Sequence, residues 1–162
     1  MKENNTIYVH SGSKYFDKYL FNKITNREHW VKPLGGLWGS PLNSACSWLQ
    51  WCKENSFNSL IGSEKYGNKD NEFLFKLKPN AKLLYIDNSV QLESMPIIED
   101  ELLSGVYKIL DFEKLAEEYD AIEVSISSDH RLYYDLYGWD VDSILVMNPD
   151  SIELVNRGDI LT

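Results

Sequence analysis

The stretch from residue 32 to residue 52 constrains the fold more than any other part of the chain. It reads Lys-Pro-Leu-Gly-Gly-Leu-Trp-Gly-Ser-Pro, followed by Leu-Asn-Ser-Ala-Cys-Ser-Trp-Leu-Gln-Trp-Cys. The Pro and Gly residues predict two turns around a very short strand at Leu37 and Trp38, and then a helix that begins near Asn43 or Ser44. Glycines beside aromatic residues are typical of a backbone that closely approaches another strand or a flat ligand. A tight turn and a core helix explain the same residues equally well.

Short runs of β-branched and aromatic residues, bounded by turn residues, predict seven strands along the chain. These runs are 6–10, 36–38, 72–78, 82–86, 121–126, 142–147 and 151–155. Apolar residues at helical spacing predict further helices at 14–24, 88–95, 97–108 and 112–119, the last capped by Asp111, and a helical turn at 131–137. Because no linker or repeat interrupts this order, we expect a single α+β domain over residues 1–162.

The charge balance is acidic, with 25 Asp and Glu residues against 16 Lys and Arg residues and a net charge of −9. Broad electrostatic binding to nucleic acid needs clustered cations, so this composition argues against nucleic acid as a partner. A small anionic ligand held by a few local cations stays compatible with it.

The cysteine usage and the absence of long apolar runs predict a soluble, cytoplasmic protein. The two cysteines, Cys46 and Cys52, fall six residues apart in the predicted helix and therefore on different faces. A disulfide between them is geometrically unfavourable, and no Cys-x-x-Cys or Cys/His zinc pattern is present, so we expect two free thiols and no metal site. The polar N-terminus lacks an apolar signal core, and no run approaches the ~18 apolar residues that a membrane span needs.

Five short motifs occur in an order that resembles the ADP-ribosyltransferase superfamily, as a divergent member of its His-Tyr-Glu branch, which includes diphtheria toxin and the poly(ADP-ribose) polymerases. The first strand ends in His-Ser-Gly, a Gly-Leu-Trp strand follows, and a Ser-x-x-x-Trp sequence opens the next helix. Tyr-Asp-Ala-Ile then leads into a strand, and the last motif is Ser-Ile-Leu-Val-Met-Asn-Pro-Asp-Ser-Ile. These motifs begin at His10, Gly36, Ser44, Tyr119 and Ser143.

The resemblance implies two small, mostly antiparallel sheets with helices around them and a cleft that binds NAD as a substrate. By this resemblance, His10 bonds the ribose next to the nicotinamide, and Ser44 bonds the carboxamide. Trp48 would stack on the nicotinamide ring where the family has Tyr, since an indole supplies the same kind of π-face. The residues implied to bind NAD are His10, Ser11, Gly12, Trp38, Ser44 and Trp48.

The catalytic carboxylate is the point at which this chain departs from the family pattern. The position of the family's Glu falls on Ser143, which carries no charge. Three nearby acids are the candidates for the role, ranked Asp142 first, then Asp140, then Glu123. Because neighbouring residues in a strand point to opposite faces, Asp142 reaches the cleft only through a bulge or a register shift. Asp140 and Asp142 also fit an ordinary turn and strand entry on a solvated edge.

These features predict a mono-ADP-ribosyltransferase that uses NAD to modify a protein or another macromolecule, as phage and toxin-system effectors do. Ser143 favours a different outcome, a non-catalytic relative that keeps the cleft without turnover. A third hypothesis is an acidic interaction module that uses its aromatic residues as anchors on a basic partner. The same residues also allow plainer roles: His10 as an ordinary hydrogen-bonded residue, the tryptophans as core, and Arg27 and Lys32 as surface cations instead of pyrophosphate ligands. The sequence leaves the oligomeric state open.

Overall fold

The computed structural model of the protein describes residues 5–57 and 71–160. All seven predicted strands occur in it, each within a few residues of its predicted bounds. They are β1 (Ile7–Ser11), β2 (Leu37–Pro41), β3 (Glu72–Leu77), β4 (Leu83–Ile86), β5 (Ala121–Val124), β6 (Ser143–Val146) and β7 (Ile152–Val155). The α-helices are α1 (Trp48–Glu54), α2 (Phe112–Leu115) and α3 (Arg131–Asp135), and short 3-10 turns occupy Lys18–Leu20, Ser89–Ser94, Pro149–Ser151 and Arg157–Ile160.

The seven strands form one mixed sheet in a single compact domain, with the spatial order β4-β5-β6-β2-β1-β3-β7. Every pair in this sheet is antiparallel except β4 and β5, which run parallel. A parallel pair needs a long crossover connection, and residues 87–120, which include α2, supply it. The predicted α+β class is therefore confirmed.

Strand β2 divides its hydrogen bonds between two neighbours. Its first three residues pair with β6, whereas Ser40 and Pro41 pair with β1. Gly39 lies at the point where β2 changes partner. A Cβ atom there would lie only 2.9 Å from the ring of Phe75, so the close approach of the strands requires glycine.

Two hydrophobic clusters cover the two faces of the sheet. Along β6, Leu145 packs into the cluster that contains Trp139. Its neighbours Ile144 and Val146 pack into the cluster around Phe75. Because side chains alternate along a strand, this strand contributes to both clusters, which explains the near-continuous apolar run of its sequence.

The prediction of a helix at 14–24 is wrong, since only the turn Lys18–Leu20 is helical there. Tyr15 and Tyr19 are 74% and 97% exposed, so these two apolar residues of the predicted helix find no surface to pack against. Phe16 and Ile24 do pack against the core clusters, but from a backbone that is not helical. Short helices gain most of their stability from such packing. The predicted helix at 97–108 is also absent, and this segment forms turns closed by a bridge between Ile97 and Leu110.

Helix α1 begins later than predicted. Ser47 caps it by accepting a hydrogen bond from the backbone N–H of Gln50, so Ser44 and Cys46 precede the helix. The expectation that both cysteines share one helix is therefore wrong, although both thiols are free as predicted. Asp111 caps α2 as predicted, by accepting from the N–H of Lys114. In the part of the chain described, no helix has the length and apolar character needed to cross a membrane.

Candidate functional site

A cleft of about 290 Å³ opens where β1, β2 and β6 meet. Five of the nine predicted site residues line it: His10, Ser11, Trp38, Trp48 and Asp140. Arg27, Lys32 and Ser143 also contribute to its walls. The other four predicted residues, Gly12, Ser44, Glu123 and Asp142, are not among the lining residues.

His10 is the penultimate residue of β1, and among the described residues only one of its ring nitrogens has a hydrogen-bonding partner. Its Nδ1 lies 2.7 Å from the backbone carbonyl oxygen of Trp38. Because a carbonyl can only accept, Nδ1 carries the proton and donates, which leaves Nε2 as an acceptor. Burial lowers the pKa of His10, and the hydrogen bond to Trp38 opposes this effect only in part. The imidazole is therefore neutral at pH 7.

Gly12 follows His10 in a backbone conformation with φ of +124°, which favours glycine. A Cβ at this position would lie 3.9 Å from Nε2 of His10. Its backbone N–H donates to the carbonyl of Asn71 at 3.0 Å, which ties the turn after β1 to the start of β3. Gly12 thus shapes the approach to His10 without lining the cleft itself.

Trp48 is held in the cleft wall from two sides. Its backbone N–H donates to Oγ of the buried Ser40 at 3.1 Å, which joins the start of α1 to β2. Its ring stacks on Trp51 at a centroid distance of 5.1 Å and an angle of 9°, and Trp51 in turn stacks on Phe57. This stack covers one face of Trp48 and fixes the orientation of the indole.

Trp38 forms the adjoining part of the wall. Its ring lies 4.9 Å from that of Trp139, a fully buried residue that sequence reasoning did not single out. The ammonium group of Lys32 lies over Trp38, 5.1 Å from the ring centroid, which is a cation–π geometry. Ser40 was missed as well, although it lies two residues after Trp38 on one strand and alternation places both on the same face.

The charged groups of the cleft are two cations and one carboxylate. Burial lowers the pKa of Lys32, and the negative charge of Asp140 opposes this effect. Among residues 5–57 and 71–160, no hydrogen bond or ion pair ends on the carboxylate of Asp140 or on the guanidinium of Arg27. The Arg27 guanidinium instead lies 4.1 Å above the ring of Trp30. Within a strongly acidic chain, this cleft is locally cationic.

Asp142 and Ser44, both predicted to face the ligand, are bonded to each other outside the cleft lining. Oδ2 of Asp142 accepts from the hydroxyls of Ser44 at 2.8 Å and Ser127 at 2.7 Å. Oδ1 accepts from the backbone N–H of Ser127 at 2.9 Å. The backbone N–H of Asp142 donates to the carbonyl of Cys46. This carboxylate joins the loop before α1 to the loop after β5.

Glu123 and Ser143 occupy buried positions near the same strands. Glu123 is only 2% exposed and accepts a hydrogen bond from the hydroxyl of Tyr8 at 2.8 Å. Burial raises the pKa of Tyr8, and the negative charge of Glu123 raises it further. Ser143 lines the cleft, but its hydroxyl donates to the carbonyl of Val141 at 2.9 Å.

No protein-family model, no characterised protein and no solved structure matches the chain. The chemistry of the cleft therefore has to follow from its own side chains. These offer a neutral imidazole acceptor, an aromatic wall, two cations and one carboxylate without a hydrogen-bonding partner in the described residues. Such a set suits a ligand that combines a hydroxylated sugar, a flat ring and a negatively charged group.

Proposed function

We propose that this protein binds NAD in the cleft and acts as a mono-ADP-ribosyltransferase on a macromolecular acceptor. The observation that carries the proposal is that four separate segments bring His10, Ser11, Trp38, Trp48 and Asp140 into one cavity. The family resemblance implies that the first four of these residues bind NAD, and Asp140 is one of the three acids near the family's Glu position. The free thiols of Cys46 and Cys52 support a reducing, cytoplasmic location.

The nicotinamide nucleoside half of NAD fits the groups that the cleft presents. Nε2 of His10 accepts a hydrogen bond from a ribose hydroxyl, which needs the neutral imidazole described above. The face of Trp48 that Trp51 leaves uncovered stacks on the nicotinamide ring. Arg27 and Lys32 supply the positive charge that the pyrophosphate requires.

The divided pairing of β2 supports an ADP-ribosyltransferase-like arrangement of two small sheets. One half of the sheet consists of β1, β3 and β7, and the other of β4, β5 and β6, with β2 shared between them. The cleft residues come from both halves, since His10 belongs to β1 and Ser143 to β6. We therefore propose that the two halves act as the two walls of the NAD cleft.

In the proposed reaction, the bond between the ribose C1′ and the nicotinamide nitrogen breaks, and its electron pair leaves with neutral nicotinamide. A nucleophilic atom of the acceptor forms the new bond to C1′ and gives up its proton to solvent water. A carboxylate stabilises the oxocarbenium-like charge at C1′ and orients the acceptor. We assign this role to Asp140 in preference to Asp142 and Glu123, because the latter two carboxylates accept hydrogen bonds from the protein and lie outside the lining.

A second candidate is an NAD-binding protein without turnover. The observation that favours it is Ser143, which occupies the family's Glu position and lines the cleft with a hydroxyl that already donates to Val141. In that case the cleft binds NAD with the same residues, and Asp140 serves only as a counter-charge for Lys32.

Titration with NAD, followed by tryptophan fluorescence and by thermal shift, tests the binding step. We expect quenching and a higher melting temperature for the wild type. His10→Ala and Trp48→Leu should each weaken binding by about tenfold, the effect of one lost hydrogen bond or ring stack. The matched controls His130→Ala and Tyr134→Leu change an exposed histidine and an exposed aromatic residue outside the cleft and should leave the affinity unchanged.

Release of nicotinamide from NAD, measured with the acceptor supplied as a cell extract, separates the two candidates. Nicotinamide release together with labelled ADP-ribose on a macromolecule supports the transferase. Saturable binding without release supports the non-catalytic candidate. If millimolar NAD produces neither quenching nor a thermal shift, both candidates are wrong, and the acidic interaction module becomes the hypothesis to pursue.

A further inference from the structure

A second cavity, of about 510 Å³, lies beside the cleft, and Arg27 lines both. We call it the acidic groove and define it by Arg27, Glu28, Ile98, Glu99, Glu101 and Ile109. We propose that the acidic groove binds the adenosine half of NAD and that its carboxylates exclude NADP. This inference rests on the proposed function, because it assigns a second part of the same substrate.

The small size of the cleft favours a second compartment for a dinucleotide. At about 290 Å³, the cleft lies just below the range of roughly 300–1,000 Å³ that small-molecule sites occupy. The acidic groove is the larger of the two cavities and offers the space that the remaining nucleoside needs.

Arg27 occupies the position that a pyrophosphate between the two nucleosides would need. Arg27 lines both cavities, and its guanidinium makes no ion pair with any described residue. Stacking over Trp30 at 4.1 Å restrains the guanidinium while leaving its N–H groups able to donate. A guanidinium donates paired hydrogen bonds to phosphate oxygens, so Arg27 can bind the pyrophosphate that joins the two nucleosides.

The walls of the acidic groove are held at a fixed spacing. Two backbone hydrogen bonds between Thr25 and Leu34, at 3.1 and 2.9 Å, close the loop that carries Arg27. At the tip of this loop, the backbone N–H and Nδ1 of His29 lie 3.1 and 2.9 Å from Oδ2 of Asp100. The other oxygen of Asp100 accepts from the backbone N–H groups of Leu102 and Leu103.

The Asp100 carboxylate is therefore a structural tie between the two walls. Burial raises its pKa, but the hydrogen bonds from Leu102, Leu103 and His29 outweigh this effect and lower the pKa below its ordinary value. Asp100 stays charged at pH 7, and its oxygens are committed to the protein. The remaining carboxylates of the groove, on Glu28, Glu99 and Glu101, are exposed.

The lining of the acidic groove matches an adenosine in chemistry. Ile98 and the buried Ile109 provide an apolar surface for a purine ring. Glu99 and Glu101 can accept hydrogen bonds from the 2′- and 3′-hydroxyls of the ribose, as a carboxylate does in other NAD sites. A 2′-phosphate would bring a charge of about −1.5 to −2 against the same carboxylates, which disfavours NADP.

The experiment compares four probes on the full chain: NAD, NADP, ADP and nicotinamide riboside. We expect the wild type to bind NAD at least about tenfold more tightly than NADP, as one uncompensated charge repulsion predicts. Arg27→Ala should weaken NAD and ADP by about tenfold or more. It should leave nicotinamide riboside unchanged, because that probe lacks phosphate. Arg27→Lys, which keeps the charge but not the paired donors, should give an intermediate loss.

The double variant Glu99→Gln and Glu101→Gln should reduce the preference for NAD over NADP by several-fold. Its matched control is Glu93→Gln with Glu117→Gln, which removes the same two charges from exposed positions outside the acidic groove. If NAD binds but the preference and the affinity for ADP are the same in all variants, this inference is overturned and the proposed function stands. If neither NAD nor nicotinamide riboside binds, both are overturned.

Discussion

Asp140 and Asp142 lie two residues apart at the entry to β6, yet the protein uses their carboxylates in opposite ways. Asp142 accepts three hydrogen bonds, from two hydroxyls and one backbone N–H, and is 7% exposed. Asp140 accepts none from the described residues and lines a cleft beside the half-buried Lys32.

The contrast shows how a structural carboxylate differs from one that is available to a ligand. Buried polar groups in proteins are almost always hydrogen-bonded, and Asp142 follows that rule completely. A half-buried carboxylate that the described residues leave without a hydrogen bond keeps its acceptor capacity for something else. The position in the strand pattern placed Asp142 first among the catalytic candidates. Because the carboxylate of Asp142 is committed to three hydrogen bonds, the structure favours Asp140 instead.

The largest expected effect is on turnover in Asp140→Asn. Loss of a group that stabilises developing charge should slow nicotinamide release by about a hundredfold or more, while the affinity for NAD changes little. Assays of nicotinamide release under saturating NAD measure this effect. Glu93→Gln, an exposed acid outside the cleft, is the control. Full activity in Asp140→Asn would remove this residue from the mechanism.

The next largest effect is on stability in Asp142→Ala. The substitution leaves one N–H and two hydroxyls without their acceptor, so the free energy of unfolding should fall by about 3 kcal/mol. Asp140→Ala should change it by less than about 1 kcal/mol, because Asp140 accepts no hydrogen bond from the described residues. Urea denaturation of both variants makes the comparison. Equal losses would mean that the hydrogen bonds to Asp142 do not make its carboxylate more important for stability than that of Asp140.

A smaller effect is expected from Ser44→Ala, which removes one of the three hydrogen bonds to Asp142. The free energy of unfolding should fall by about 1 kcal/mol, with the affinity for NAD retained. Ser11→Ala is the matched variant in the cleft and should show the reverse pattern, with stability retained and NAD bound a few-fold more weakly. Weaker NAD binding in Ser44→Ala at unchanged stability would instead support the direct ligand contact that the resemblance implies.

The smallest effect concerns pH. Because burial lowers the pKa of Lys32, its positive charge is lost as the pH rises through a value below that of an ordinary lysine. NAD affinity should therefore fall by a few-fold at alkaline pH, and Lys32→Arg should abolish the fall. Asp140→Asn should move the fall in NAD affinity to lower pH, since it removes the negative charge that opposes the lowering of the Lys32 pKa. Asp142→Asn should leave the pH of this fall unchanged. A change in that pH would contradict the assignment of Asp140 as the carboxylate that acts on Lys32.

The strands could be predicted from the sequence because their signal is local. Runs such as that of β6 combine β-branched residues with flanking turn residues, and Asn148 and Pro149 end the run in the chain as in the structure. The helices could not be predicted as well. Tyr15 and Tyr19 have helical spacing but no packing surface, and a short helix needs tertiary contacts to be stable.

The sequence by itself determined the order of the strands along the chain, the α+β class, and the turn that follows His10 and Ser11 at the end of β1. It also located the aromatic residues Trp38 and Trp48 that line the cleft. Only the tertiary structure decided which carboxylate is available. The groups that bond Asp142 come from Ser44 and Ser127, 98 and 15 residues away in the chain. Such distant donors leave no local pattern in the sequence, so the difference between Asp140 and Asp142 arises only when the fold brings these segments together.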